Sequence, residues 1–128
     1  MQSLNRIMLV DDDSDTNYFN QYILDEEGIA DNIVVFQHAI KALDYLKEGN
    51  EKVDLILLDI NMPVMNGWEF LQEYEQLDDQ LKATIVVVML TSSVNYEDKK
   101  RADQLKSIDK FVNKPLTPEL VTEILALF

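Results

Sequence analysis

The sequence predicts an α/β fold, a doubly wound parallel sheet built from five βα units. Short apolar runs recur at Ile7-Met8-Leu9-Val10, Ile33-Val34-Val35-Phe36, Leu55-Ile56-Leu57-Leu58, Ile85–Leu90 and Phe111-Val112. Runs that do not alternate with polar residues suit strands covered on both faces. Between them lie segments with helical spacing, so a helix follows each strand. Right-handed crossovers then put helices on both faces of the sheet, and the ligand site lies outside the carboxyl ends of the strands where strand order reverses.

Taken in order, the first strand ends in Asp11-Asp12-Asp13, and Asp13, Ser14 and Asp15 suit the N-terminus of the first helix, where acids are favoured. Phe19, Tyr22 and Ile23 share a face of that helix, and Tyr18, Phe19 and Tyr22 are expected in the core. Gly28 and Gly49 follow the first and second helical patterns, where a left-handed cap is wanted. The second strand ends at Gln37-His38, and His38 reads as a capping or exposed residue before a helix whose apolar face is Ala39, Leu43 and Leu46. The third strand ends at Asp59-Ile60-Asn61. Gly67 follows Asn66 in a turn leading into the third helix, which Trp68 begins as a partly buried anchor. The fourth strand ends at Thr91-Ser92-Ser93, and the fourth helix carries the one basic run, Lys99-Lys100-Arg101. After Asn113-Lys114-Pro115, Thr117 caps and Pro118 opens a last helix with Leu120, Val121, Ile124 and Leu125 inward.

Composition limits what this fold can do. The 128 residues suit a single domain, residues 1–128, with no output domain. A net charge of −13 disfavours direct binding to nucleic acid or an anionic membrane surface. No Cys and one His leave no thiolate chemistry and no Cys/His metal site. The N-terminus lacks a signal-peptide pattern and the longest apolar run falls far short of the roughly 18 residues of a membrane span, so a cytoplasmic protein is expected. With its three glycines assigned to caps and turns, the chain has neither G-x-x-x-x-G-K-[ST] nor G-x-G-x-x-G to cradle a phosphate.

The strand ends hold the chemistry. If the first and third strands are neighbours, Asp11, Asp12 and Asp59 converge, and like charges that close destabilise the fold unless a cation joins them. An all-oxygen ligand set favours Mg²⁺ or Mn²⁺. Thr91 adds a hydroxyl and Lys114 an ammonium, completing an inventory suited to holding a phosphoryl group.

These residues carry a family likeness over essentially the whole chain. Val10-Asp11-Asp12, the stretch Leu57-Leu58-Asp59-Ile60-Asn61-Met62-Pro63-Val64-Met65-Asn66-Gly67, Leu90-Thr91-Ser92 and Lys114-Pro115 resemble the receiver domain of two-component response regulators, of the stand-alone chemotaxis type. The resemblance implies a flavodoxin-like sheet of strand order 2-1-3-4-5. It implies that Asp59 accepts a phosphoryl group from a sensor histidine kinase or a histidine phosphotransfer protein, and that the chain then binds a downstream protein target. By similarity Asp12 and Asp59 ligate Mg²⁺ directly, Asp11 partly through water, and Asn61 through its main-chain carbonyl. Lys114 and Thr91 bind phosphoryl oxygens, and the Lys114-Pro115 peptide is cis. Thr91 and Phe111 form the switch, changing the face made by the fourth helix, fifth strand and fifth helix. Many relatives have Tyr where this chain has Phe111, so packing can signal here and a phenolic hydrogen bond cannot. The last helix has no Lys or Arg, which argues against dimerisation through that face. A phosphohydrolase with an Asp nucleophile would need an acid two residues on, where Asn61 stands, and a flavin protein would need a phosphate loop after the first strand. A phosphoacceptor switch, rather than a turnover enzyme, is the expectation.

Overall fold

The computed structural model describes residues 4–49, 51–90, 100 and 104–128. Along the chain run β1 (Leu4–Val10), α1 (Ser14–Glu27), β2 (Ala30–Phe36), α2 (Ala39–Lys47), β3 (Leu55–Asp59), α3 (Gly67–Glu75), a 3₁₀ turn (Asp79–Leu81), β4 (Ile85–Leu90), β5 (Lys110–Asn113) and a C-terminal helix (Pro118–Leu125). The strands form one parallel sheet in the order β2-β1-β3-β4-β5. This is the doubly wound, flavodoxin-like order, and it reverses between β1 and β3. Among the described residues no helix is long and apolar enough to cross a membrane.

Although the central strands are apolar throughout, their side chains still alternate. Met8, Val10, Ile56, Leu58, Val86 and Val88 meet α2 and α3 through Ala42, Leu43, Leu46, Phe70, Leu71 and Tyr74. Ile7, Leu9, Leu55, Leu57, Val87 and Met89 meet α1 and the C-terminal helix through Leu24, Val121 and Ile124. Two cores, one per face, hold β1 and β3 side by side, and so their carboxyl ends too.

Two sequence expectations fail at the sheet's periphery. β2 is not covered on both faces: it is an edge strand of half-buried and exposed residues, with Val35 39% exposed. An apolar run reports hydrophobicity, and only the strand order decides which strand lies at the edge. In α1, Tyr18, Phe19 and Tyr22 are 75%, 43% and 55% exposed, and the buried stripe is Asn17, Asn20 and Leu24. That stripe is set by a polar contact, because the Asn17 amide donates 2.8 Å to the main-chain carbonyl of Asp11.

The caps fall where the sequence places them, with one addition. Asp13 accepts from the Asp15 amide and the Thr16 hydroxyl, both at 3.0 Å, and these bonds hold its pKa below the usual carboxylate value. Gly28 ends α1 at φ 62°, and the Thr117 hydroxyl accepts from Leu120 N. His38 is exposed and caps α2 without a side-chain bond. Asn66 is more than a turn residue: it makes a reciprocal capping box with Glu69, at 2.9 and 3.0 Å.

Candidate functional site

The site lies at the carboxyl ends of β1, β3 and β5. Asp11, one residue beyond β1, is 4% exposed; Asp59, the last residue of β3, is 3% exposed; Asp12 points to solvent. One oxygen from each of the three lies within 4.8 Å of the others. Adjacent pairing of β1 and β3 produces this convergence, with Val10 opposite Leu58.

Lys114 enters from the far edge of the sheet. Its backbone N–H donates 2.7 Å to Leu90 O, and the Lys114-Pro115 peptide is cis. The ammonium donates 2.6 Å to Asp11 Oδ2 and lies 3.3 Å from Asp59 Oδ1. Burial works against that charge, but the hydrogen bond to Asp11 and the charges of Asp59 and Asp11 outweigh it, so the Lys114 pKa is raised. The Asp59 carboxyl is pushed up to about 6, first by burial and then by Asp11; Lys114 and the Asn61 amide oppose the shift without cancelling it. Asp11 and Asp59 thus share one ammonium while Asp12 stands beside them, and the oxygen-only donors of the three fit a hard divalent cation that would relieve the remaining repulsion.

Of the residues the sequence singles out, Asp11, Asp12, Asp59 and Lys114 come together. Exposed Asn61 is tied to the cluster by its amide. Thr91, with Ser92 and Ser93, lies outside the described residues, as do Lys99 and Arg101. Phe111 is half-buried on β5, with its ring centroid 6.4 Å from that of Trp68, which is fully within the core at 4% exposure. Asn17 is a further contributor that apolar spacing cannot reveal, since it is a polar residue whose buried amide bonds to the Asp11 carbonyl.

The loop from Ile60 to α3 closes on itself. Gly67 N donates 2.8 Å to Ile60 O, and Met65 N donates 2.8 Å to Pro63 O around Val64, whose φ of 68° is costly for a β-branched residue. Val64 is 90% exposed and has little packing to lose. Val64→Gly is therefore expected to stabilise the protein by about 1 kcal/mol, read from urea denaturation.

Comparison with known proteins agrees with this geometry. The chain is 34% identical over 125 residues to the transcriptional regulatory protein CpxR of Klebsiella pneumoniae, covering 97% of this chain and 49% of that protein. It is 32% identical over 97 residues to the response regulator Rcp1 of Synechocystis, covering 72% of this chain and 65% of that one. The chain thus spans about half the length of the first of these relatives and two thirds of the second. A two-component response regulator from Cytophaga hutchinsonii superimposes with a TM-score of 0.84 at 27% identity, covering 98% of this chain and 97% of the other. The family model for the response regulator receiver domain matches residues 7–126, a span that holds all of the sheet but the first three residues of β1, together with the three carboxylates and Lys114. On the match, the fold and the acidic pocket together, the chain belongs to the response regulator receiver domain family.

Proposed function

We propose that this chain is a phosphoacceptor switch in which Asp59 receives a phosphoryl group from a phosphohistidine on a sensor histidine kinase or a histidine phosphotransfer protein. The observation that supports it most is the placement of one ammonium, Lys114, between Asp11 and Asp59 at the sheet's switch point. In the reaction, an Asp59 oxygen attacks phosphorus in line, an O–P bond forms as the donor's N–P bond breaks, and the imidazole nitrogen keeps the electron pair. Lys114 would pair with a phosphoryl oxygen. Asp11, Asp12, Asp59 and the Asn61 carbonyl would hold Mg²⁺, which Mn²⁺ can replace. When bound, the ion supplies charge neutralisation for the incoming oxygens. Thr91 would bind another phosphoryl oxygen and, with Phe111, pass the change to the face around β5, where a protein target docks. Neither nucleic acid nor membrane is a direct partner in this reading. Asn61, two residues after the nucleophile, cannot act as a proton donor at neutral pH, so the acyl phosphate persists as a signal instead of turning over substrate.

Mass spectrometry after incubation with Mg²⁺ and acetyl phosphate tests the reading. The native chain should gain one phosphoryl group, stable in acid and lost in base, and Asp59→Asn should gain none. No adduct on the native chain, an equal adduct on the variant, or steady hydrolysis of phosphate monoesters would each overturn it. Mg²⁺ should also raise the melting temperature by binding the native state, and Asp12→Ala, a change at an exposed residue, should reduce that gain.

A further inference from the structure

We infer that Trp68 is a positioning residue that links the peptide of Asp59 to Phe111 through the start of α3. The inference rests on the phosphoacceptor reading and adds to it a route that does not pass through the Thr91 hydroxyl.

The first contact lies in the main chain. A Cβ on Gly67 would lie 2.7 Å from Asp59 O and 2.7 Å from Ile60 Cα, so α3 begins in contact with the phosphoacceptor's own carbonyl. The Gly67 N–H donates 2.8 Å to Ile60 O, and the Asn66–Glu69 capping box holds the turn that delivers it. The start of α3 cannot stay in place if the Asp59–Ile60 peptide moves.

The second contact is aromatic. Trp68, the next residue, is 4% exposed and packs in the core shared by α2 and α3 with Leu90 and Met62. Its ring meets Phe111 at 6.4 Å and 48°, a tilted pair. Phe111 sits opposite Val88 on β5 and is only half-buried, so it has room to reorient where Trp68 has none. Close-packed interiors pass on displacements that a loose contact would absorb. A shift at Asp59 therefore reaches Phe111 as a change in the surface on which its ring rests.

Trp68 is the chain's single tryptophan, which makes its fluorescence a direct probe. The emission of the native protein is recorded in Mg²⁺ before and after acetyl phosphate, alongside Phe111→Leu, Phe111→Tyr and Asp59→Asn, with adduct levels measured by mass. The native chain should show a phosphorylation-dependent change, absent in Asp59→Asn. At equal adduct, Phe111→Leu should cut the change about twofold or more, and Phe111→Tyr should retain it. Hydrogen exchange of residues 110–113 gives the reverse direction: Trp68→Leu should lose the phosphorylation-dependent difference in protection and Trp68→Phe should keep it. A merely structural Trp68 would raise exchange in both states and leave that difference intact. A full fluorescence change in Phe111→Leu, no change in a phosphorylated native chain, or an intact exchange difference in Trp68→Leu overturns the link. Absence of adduct on the native chain instead overturns the phosphoacceptor reading on which the link rests.

Discussion

In buffer stripped of divalent cations at pH 8, Asp59→Asn will unfold at a higher temperature than the native chain. Asp59 is 3% exposed and its carboxyl is pushed up to about 6, by burial first and by Asp11 second, with Lys114 at 3.3 Å giving incomplete relief. Because the folded value lies above the ordinary carboxyl value of 3.8, the native state binds more protons than the unfolded state between the two. The penalty is therefore fully present above about pH 6 and disappears as pH falls toward 4. At 1.36 kcal/mol per unit, the shift corresponds to about 1–3 kcal/mol once partial relaxation around the charge is allowed for. For a domain of this size that is a rise of about 3–10 °C at pH 8. Asn removes the charge with little change of shape and leaves the 2.6 Å bond between Lys114 and Asp11. The advantage should vanish near pH 4, and saturating Mg²⁺ should shrink or reverse it, because only the native chain offers all three carboxylates. Thermal melts at pH 4 and pH 8, with EDTA and with Mg²⁺, decide the matter. A variant less stable than the native chain at pH 8 in EDTA would show that the native cluster carries no net repulsion.

The same three carboxylates explain why so much of this site is legible in the sequence. Asp11, Asp12 and Asp59 follow unbroken apolar runs, and the βα pattern places the ends of such runs together; Lys114 follows the same logic from the fifth run. What is not legible depends on position within the sheet. Nothing in Ile33-Val34-Val35-Phe36 distinguishes an edge strand from a central one, yet among the described residues β2 pairs only with β1 and its side chains are half-covered or exposed. In α1 the buried stripe joins apolar Leu24 to polar Asn17 and Asn20, because the face turned to the sheet must supply the Asn17 amide to Asp11. Tyr18, Phe19 and Tyr22 are left outside as a consequence. The capping box did leave a signal, Asn66 followed three residues later by Glu69. The contact between Trp68 and Phe111 left none, since it spans α3 and β5 and depends on the register that sets Phe111 opposite Val88.

Gly67→Ala is the second large effect, and its sign runs against helix propensity. Within a helix, replacing Gly with Ala ordinarily stabilises by about 1 kcal/mol. At Gly67 the added carbon would lie 2.6 Å from Ile60 Cδ1, 2.7 Å from Asp59 O and 2.7 Å from Ile60 Cα. The side-chain atom can swing aside, but the two main-chain atoms belong to the last residue of β3 and the residue after it, and β3 is paired to β4 through Asp59 and Met89. The helix must back away from the sheet, opening the seat of Trp68 and stretching the 2.8 Å bond from Gly67 N to Ile60 O. Overpacking of this kind is expected to cost about 2–4 kcal/mol in urea denaturation. Gly28→Ala provides the contrast, because Gly28 has open space around it and a φ of 62°, so only the left-handed backbone resists, at about 1 kcal/mol. Phosphorylation should separate the two variants further, with Gly67→Ala slowing adduct formation from acetyl phosphate under conditions where both remain folded and Gly28→Ala leaving it unchanged. A Gly67→Ala protein as stable as the native chain would mean that α3 does not need its close seat on the Asp59 carbonyl, and the path from Asp59 through Trp68 to Phe111 would lose its first contact.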